Sequence, residues 1–334
     1  MCKNPVIQWS VAVGDVRSFE ADVLALKYAQ RLYGADAQVV TWLESGGIDV
    51  TKRLPEISEY LFIKSEGQIT SNSVLFVGVE KIYAFGYQEI REFGRKVLAS
   101  LAEAAPETRH VCMTIHGTGY GLDETEVFEA EIAGLLDAIT EGTFPENLER
   151  ISIIDRDRDT VKRLNEVFSR LLPHGVIEID RKGGFGTLGK HTKERLRSVG
   201  PSSESKPHIF VAMPFAEEMD DILHYGIKGA VNAKGFLCER ADLSYFTGDV
   251  MEMVKKRITS STLVIADLST ANPNVYLEVG YAWGCGKPTI LLVRDSAELK
   301  FDVRGQRCLV YKKIKELEEL LLKELDGLRS NLCT

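Results

Sequence analysis

The sequence predicts a two-domain α/β protein built on parallel sheets with helices over both faces. Three observations carry that prediction. The chain has 334 residues, more than one domain of roughly 100–200 residues usually holds. Strand-length apolar runs alternate with segments of helical periodicity along most of it, the pattern of βαβ units. One stretch, Asp180 to Pro207 (DRKGGFGTLGKHTKERLRSVGPSSESKP), breaks the pattern and is rich in Gly, Ser and cations, as linkers are. The expected division is residues 1–180, a linker over 181–206, and a second domain over 207–330.

The first domain opens with a strand-like run, Val6 to Val13, and Val74 to Val79 (VLFVGV) is a continuous apolar run of strand length. Gln88 to Ala105 carries Ile90, Phe93, Val97, Leu98 and Leu101 at helical spacing. His110 to Ile115 reads as a strand that ends in His116-Gly117-Thr118-Gly119-Tyr120-Gly121, and Asp123 precedes a helical stretch through Ile139. Arg150 to Ile154 and Val176 to Ile179 read as strands with a helix between them.

The second domain is the clearer one. Strands are expected at His208 to Phe215, Leu237 to Asp242, Thr262 to Leu268, Pro288 to Val293 and Cys308 to Tyr311. Helices are expected near Val250 to Ser260, Val275 to Cys285 and Ile314 to Leu328, the last with an apolar stripe of Leu317, Leu320, Leu321, Leu325 and Leu328. Strands alternating with helices imply a doubly wound parallel sheet. Its ligand site belongs beyond the carboxyl ends of the strands, at the point where strand order reverses.

Composition narrows the partners. Lys plus Arg is 41 and Asp plus Glu is 49, a formal net charge of -8, the opposite of the basic footprint of a nucleic-acid-coating surface. No apolar run approaches the roughly 20 residues that span a bilayer, and Met1 to Pro5 has no apolar core of a secretory signal. The six cysteines (Cys2, Cys112, Cys238, Cys285, Cys308 and Cys333) are scattered, without a CxxC pair or a nearby His. They read as reduced thiols of a cytoplasmic protein with no metal site. The absence of GxGxxG and GxxxxGK[ST] counts against a dinucleotide fingerprint and a P-loop.

The residues that invite chemistry cluster in Ala266 to Pro288, ADLSTANPNVYLEVGYAWGCGKP. Asn274 is a candidate N-cap, preceded by Pro273. Val275, Val279, Ala282 and Trp283 then form an apolar stripe, and Glu278 falls on or beside it. A carboxylate there is costly to bury without a purpose, unless it is a partly solvated first-turn Glu favoured by the helix dipole. Asp267 ends the apolar strand and is either a crevice carboxylate or a loop-closing acceptor of backbone N–H bonds. Met213-Pro214-Phe215 ends the first strand of the domain, where its loop reaches toward a ligand.

This half of the chain resembles the nucleoside 2-deoxyribosyltransferase-like superfamily and the related TIR-like domains that cleave NAD. The resemblance rests on Ala-Met-Pro-Phe, CERADLSYFTGD and VIADLSTANPNVYLEVGYAWGCGKPTILL. It implies a flavodoxin-like sheet and cleavage of an N-glycosidic bond of a nucleotide or NAD. Glu278 would meet the anomeric carbon, and Asp249 would be the second carboxylate, with Asp267 beside them. Asp242, Ser269, Asn272 and Asn274 would contact substrate along with Met213, Pro214 and Phe215. Such cleavage builds positive charge on the sugar, which a carboxylate attacks or stabilises, while a second group assists the leaving base. Phe215, Tyr245 and Tyr276 are available to stack a base.

The first half resembles the start of a macro domain, on Gly14-Asp15-Val16, Glu20 to Leu26 and Gly34-Ala35-Asp36. HGTGYGLDETEVFEAEIAGLLDAI is similar to that fold's glycine-rich phosphate loop and following helix. The resemblance implies an α/β/α domain with backbone amides of Gly117, Thr118, Gly119, Tyr120 and Gly121 around a nucleotide diphosphate. Otherwise these glycines make a tight strand-to-helix turn. Together the two resemblances imply an N-glycosidase with NAD or a nucleotide as substrate, no required cofactor, a nucleotide signal at the first domain and a homo-oligomeric state. Bacterial proteins of this make-up act in antiviral defence. Two other classes stay open: a non-catalytic nucleotide-binding signalling protein, and a scaffold assembling through the C-terminal helix.

Overall fold

The computed structural model describes residues 6–118, 120–178, 188–214, 216–241, 248–295, 303 and 305–332. The chain forms two compact α/β units. One comprises Met1–Gly117 and Glu124–Glu204, the other Thr118–Asp123 and Ser205–Thr334.

The first unit holds a seven-stranded sheet of order β3-β4-β2-β5-β7-β1-β8. Its strands are β1 (Val6–Val13), β2 (Val23–Tyr28), β3 (Tyr60–Lys64), β4 (Ser73–Gly78), β5 (His110–Thr114), β7 (Arg150–Asp155) and β8 (Val176–Glu178). The five inner strands run parallel, and β3 and β8 close the edges antiparallel. Helix α1 (Ala35–Ser45) lays Val39, Val40 and Leu43 against Leu24, Leu26, Val74, Phe76, Cys112 and Ile154 on one face. The alternate strand residues Ala25, Leu75, Val111 and Met113 are also fully buried, and alternation turns them to the opposite face. Helices α2 (Tyr87–Ala104) and α3 (Glu124–Glu141) cross so closely that a Cβ on Gly134 would meet the Arg91 carbonyl oxygen at 1.8 Å. Helix α4 (Arg158–Leu171) is capped by Asp157, whose carboxylate accepts from the backbone N–H of Asp159 and Thr160.

The segment expected to be a linker differs from that expectation over its described part. It contains α5 (Lys190–Ser198) and belongs to the first unit. One of its cations, Arg195, is not left to water. Arg195 donates to Glu126 Oε2 at 2.7 Å and also pairs with Glu129. Arg91 reaches the carbonyls of Leu196 and Val199 at 2.9 and 2.6 Å, and Glu204 accepts from the Tyr87 N–H at 2.8 Å. Composition made this stretch read as a spacer because nothing in it signals which acids it would meet.

The second unit holds the sheet β13-β12-β11-β9-β10-β6, from β6 (Tyr120–Gly121), β9 (His208–Ala212), β10 (Leu237–Ala241), β11 (Leu263–Asp267), β12 (Thr289–Val293) and β13 (Cys308–Val310). The five strands β9 to β13 are parallel, and their order is the flavodoxin-like 2-1-3-4-5. A continuous helical stretch follows β9: α6 (Glu217–Asp221), a π-helical segment over Ile222–Lys228, and α7 (Gly229–Ala233). It packs with α10 (Ile314–Leu332) on one face of the sheet, where Leu317, Leu321 and Leu325 join Ile209, Val211, Ile265 and Leu292 in the core. A Cβ on Gly226 would meet Leu317 at 2.8 Å, so glycine permits that approach. Leu317, Leu321 and Leu325 of the C-terminal stripe are therefore consumed inside the unit, with Leu320 packed against them, and are not offered to a scaffold partner; the Leu328 side chain lies outside the described residues. Helices α8 (Gly248–Ser260) and α9 (Pro273–Gly284) pack together, with α9 against β11.

The glycine-rich run after β5, expected to form either a phosphate loop or a tight turn, is divided between the two units. Gly117 ends a segment of the first unit, but Thr118 to Asp123 belong to the second. Tyr120 and Gly121 pair antiparallel with Ala241 and Arg240, so β6 closes the open edge of β10. Gly121 N–H bonds the Thr118 carbonyl at 3.2 Å and Asp123 accepts from the Cys238 N–H at 3.2 Å. Tyr120 and Gly121 are thus engaged in a turn and a strand pair; Gly119 and the Tyr120 side chain lie outside the described residues.

Among the described residues no helix is long and apolar enough to cross a membrane. No group of His, Cys, Asp and Glu among them has metal-binding geometry.

Candidate functional site

In a 2-1-3-4-5 sheet the switch point falls between the first and third strands, here β9 and β11, which are adjacent and parallel. Met213-Pro214 follows β9, and the turn from Leu268 to Asn272 follows β11. Both lead into helices.

The β11–α9 turn is held from several sides. Asp267 is fully buried; its Oδ1 accepts from the Ser269 N–H at 2.9 Å and its Oδ2 from the Tyr311 hydroxyl at 2.6 Å. Burial and the Asp267 carboxylate push the Tyr311 phenol up to about 12, so it stays a donor. The Ser269 hydroxyl accepts from the Arg294 N–H at 3.0 Å. Ala271 sits at φ 48°, the left-handed region that L-residues avoid, and the surrounding bonds hold it there. Of the two sequence readings of Asp267, these contacts fit the loop-closing one: both oxygens are occupied and water is excluded. Ser269 is likewise committed to the loop.

Asn272, not Asn274, is the N-cap: its side chain accepts from the Asn274 N–H at 2.9 Å. Pro273 takes the first helical position, where its missing N–H costs nothing and its fixed φ suits the helix. That preference moves the cap two residues upstream of the sequence expectation. Asn274 is half-buried in the first turn.

Glu278 lies one turn further on. Val275, Glu278, Val279 and Ala282 form the buried stripe of α9, whereas Leu277 and Trp283 face out. Glu278 is 6 % exposed, and no side chain among the described residues bonds or pairs with its carboxylate. Burial alone pushes its carboxyl up to about 8. Glu278 is thus a desolvated carboxylate near the switch point with no side-chain partner among the described residues, which makes it a candidate functional residue. It would also gain most from a ligand that brings positive charge.

The other expected residues divide. Met213 is 4 % exposed and packs in the core with Ile209 and Leu292; it is a wall residue rather than a free contact. Pro214 is buried, and its carbonyl accepts from Arg240 Nη2 at 3.2 Å. Asp249 belongs to the first turn of α8, but its side chain, like Phe215, Asp242 and Tyr245, lies outside the described residues. Arg240 went unremarked in the sequence. It is a buried cation at the carboxyl end of β10, bonded to the switch-point loop and to Asp220 at 3.3 Å. The signal was available: an Arg inside a strand whose neighbours are buried.

In the first unit, the carboxyl end of β2 gathers Lys27 and Asp36, both nearly fully buried. Burial pushes the Asp36 carboxyl up, with Lys27 opposing. Its Oδ1 accepts from the Tyr33 N–H at 3.1 Å, whereas Oδ2 meets no hydrogen-bond partner among the described residues. At the end of β5, His116 Nδ1 faces Glu131 Oε1 at 3.1 Å.

No family profile matches the chain, and no curated protein does. Among solved structures, the chain is similar to a macrodomain mutant from Oceanobacillus iheyensis with ADPR (13% identity, 49% of this chain and 92% of that one, TM-score 0.37). It is also similar to a Trypanosoma brucei macrodomain in complex with ADP-ribose (16%, 48% and 69%, 0.39). A third is a Clostridium botulinum CMP N-glycosidase (23%, 35% and 98%, 0.30). At these TM-scores none of the three likenesses bears on activity.

Proposed function

We propose that the second unit cleaves the N-glycosidic bond of a nucleotide or of NAD, with Glu278 as the group that meets the anomeric carbon. The observation that carries this reading is the buried carboxylate of Glu278 near the switch-point loops, with no side-chain partner among the described residues. Breaking the bond between the anomeric carbon and the base nitrogen leaves an oxocarbenium-like centre. A Glu278 carboxylate oxygen bonds to that carbon, or stabilises its charge, as the electron pair departs with the base. A nicotinamide leaves as a neutral molecule; other bases take up a proton, the task assigned to Asp249. Water or a second base then takes the sugar from Glu278. Arg240 and the Asp267–Tyr311 pair hold the loops on either side and act on substrate only through them.

The first unit is read as a nucleotide-binding module. The Asp36 carboxylate, buried with one oxygen unanswered, supports a ligand at the carboxyl end of β2.

The test is mass spectrometry of full-length protein incubated with NAD, ADP-ribose and a panel of nucleotides. Release of free base that disappears in Glu278→Gln is the expected outcome. Binding across the panel with no base released would leave a nucleotide-binding signalling protein in its place.

A further inference from the structure

The amino ends of the first unit's strands, opposite to the carboxyl end of β2, line an open cavity of about 570 Å³. Its floor is unusual for the middle of a parallel sheet. Ser10 of β1 and Ser152 of β7 stand directly across from each other in register. Their hydroxyls are 3.0 Å apart, and Ser152 Oγ is 2.9 Å from His110 Nε2 on β5. The flanking strand sequences, VIQWSVAV and RISIID, show how easily Val or Ile would serve at both serine positions. A polar chain at the end of an apolar face is expensive unless every member is satisfied, and this one ends on Ser10 with hydrogen-bonding capacity to spare.

We propose that this cavity binds a neutral polyol, a small molecule with adjacent hydroxyl groups such as a free sugar. Hydroxyl ligands need partners that both donate and accept, and the wall offers such groups. Ser10 and Ser152 do either. Burial and Arg150 push the His110 imidazole down, leaving it a neutral ring with one donor and one acceptor. Asn72 adds an amide at the exposed rim. Asp22 uses Oδ2 to accept from the N–H groups of Arg109 and His110, at 2.9 and 2.8 Å. Its Oδ1 bonds to nothing among the described residues, so it is available to a pair of ligand hydroxyls. Phe19, in a T-shaped contact with His110 at 6.0 Å, supplies an apolar wall for the C–H face of a sugar ring. Charge argues against an anion: the lining sets one cation, Arg150, against Glu20 and Asp22. The volume lies within the roughly 300–1,000 Å³ of small-ligand sites.

The experiment is ligand-observed NMR titration of the full chain with D-ribose, D-glucose, myo-inositol and ribose 5-phosphate. At least one neutral polyol should bind saturably. Ser10→Ala and Asn72→Ala should each weaken it about fivefold, the worth of one hydrogen bond, while Arg150→Ala leaves it within about twofold. Asn72 is exposed, so its variant tests the site without threatening the fold. No saturable polyol binding, binding unchanged in both the serine and asparagine variants, or preference for ribose 5-phosphate that depends on Arg150 would each overturn the assignment. The Ser10 and Asn72 variants place the binding at this cavity, so the result is independent of whether the second unit releases a base.

Discussion

Helices α3 and α9 each bury glutamates, and they treat them in opposite ways. On α3, Glu126, Glu129 and Glu131 are 2 %, 8 % and 0 % exposed, and each carboxylate is answered. Arg195 serves Glu126 and Glu129, Ser203 donates to Glu126, and Glu131 accepts from the His116 N–H at 3.2 Å while facing its Nδ1. On α9, Glu278 is buried to a similar degree, and no side chain among the described residues answers it. Burial alone therefore does not separate a structural acid from a reactive one; the partner does. A compensated carboxylate fixes a fold, whereas an uncompensated one raises the energy of the ligand-free protein, and a cationic centre in the site relieves that.

The largest effect that would break this contrast is on turnover. Glu278→Gln keeps size and polarity but removes the charge and the nucleophile, and base release should fall about 10³-fold, close to 4 kcal/mol of barrier. In the wild type, kcat/KM should rise with pH through a midpoint near 8 and level off above it, because the carboxyl pushed up to about 8 must lose its proton to act. Turnover that is retained in the folded variant removes Glu278 from the mechanism.

Stability gives the second test, and its sign is opposite for the two helices. The folded state holds the Glu278 proton more tightly than the unfolded chain does, whose value is 4.5. The contribution of Glu278 to stability is accordingly complete below that value and is lost as pH rises from about 4.5 to about 8. Glu278→Gln abolishes that loss. In urea titrations its advantage over wild type should grow by on the order of 4 kcal/mol between pH 5 and pH 8.5. Parallel pH curves for the two proteins would mean that the carboxylate finds compensation. Glu131→Ala, by contrast, strands the His116 N–H and ring in a buried site and should cost about 3 kcal/mol. A cost under about 1 kcal/mol would mean that α3 does not depend on its internal partners.

The sequence carried the second unit further than the first. Strands β9, β11 and β12 are compact apolar runs and α9 has one apolar stripe, so both the sheet and the inward turn of Glu278 follow from local pattern. What stayed hidden is non-local. The Asp267–Tyr311 bond joins residues 44 apart, and only the fold shows that it occupies the second oxygen of Asp267. Arg195 reads as a solvated linker charge until α5 brings it to Glu126. The glycine run after β5 reads as a phosphate loop because its pairing with β10 depends on a strand more than 100 residues later. Strand β2 (VLALKY) and helix α1 were missed as elements: the first is buried on both faces and lacks alternation, and the second opens at Gly34 with no side-chain cap.

The smallest effect concerns how α9 begins. Asn272 was expected to touch a sugar hydroxyl, yet its side chain caps the helix that carries Glu278. Asn272→Ala should cost about 1 kcal/mol from the lost cap, well below the effect at Glu131. If the cap is its whole role, kcat and KM for base release should each stay within about threefold, and Asn272→Ser, which restores a capping oxygen, should recover the stability. If KM rises more than about tenfold and serine recovers the stability but not the KM, the amide also reaches substrate. The start of α9 would then be part of the binding surface as well as the support for its carboxylate.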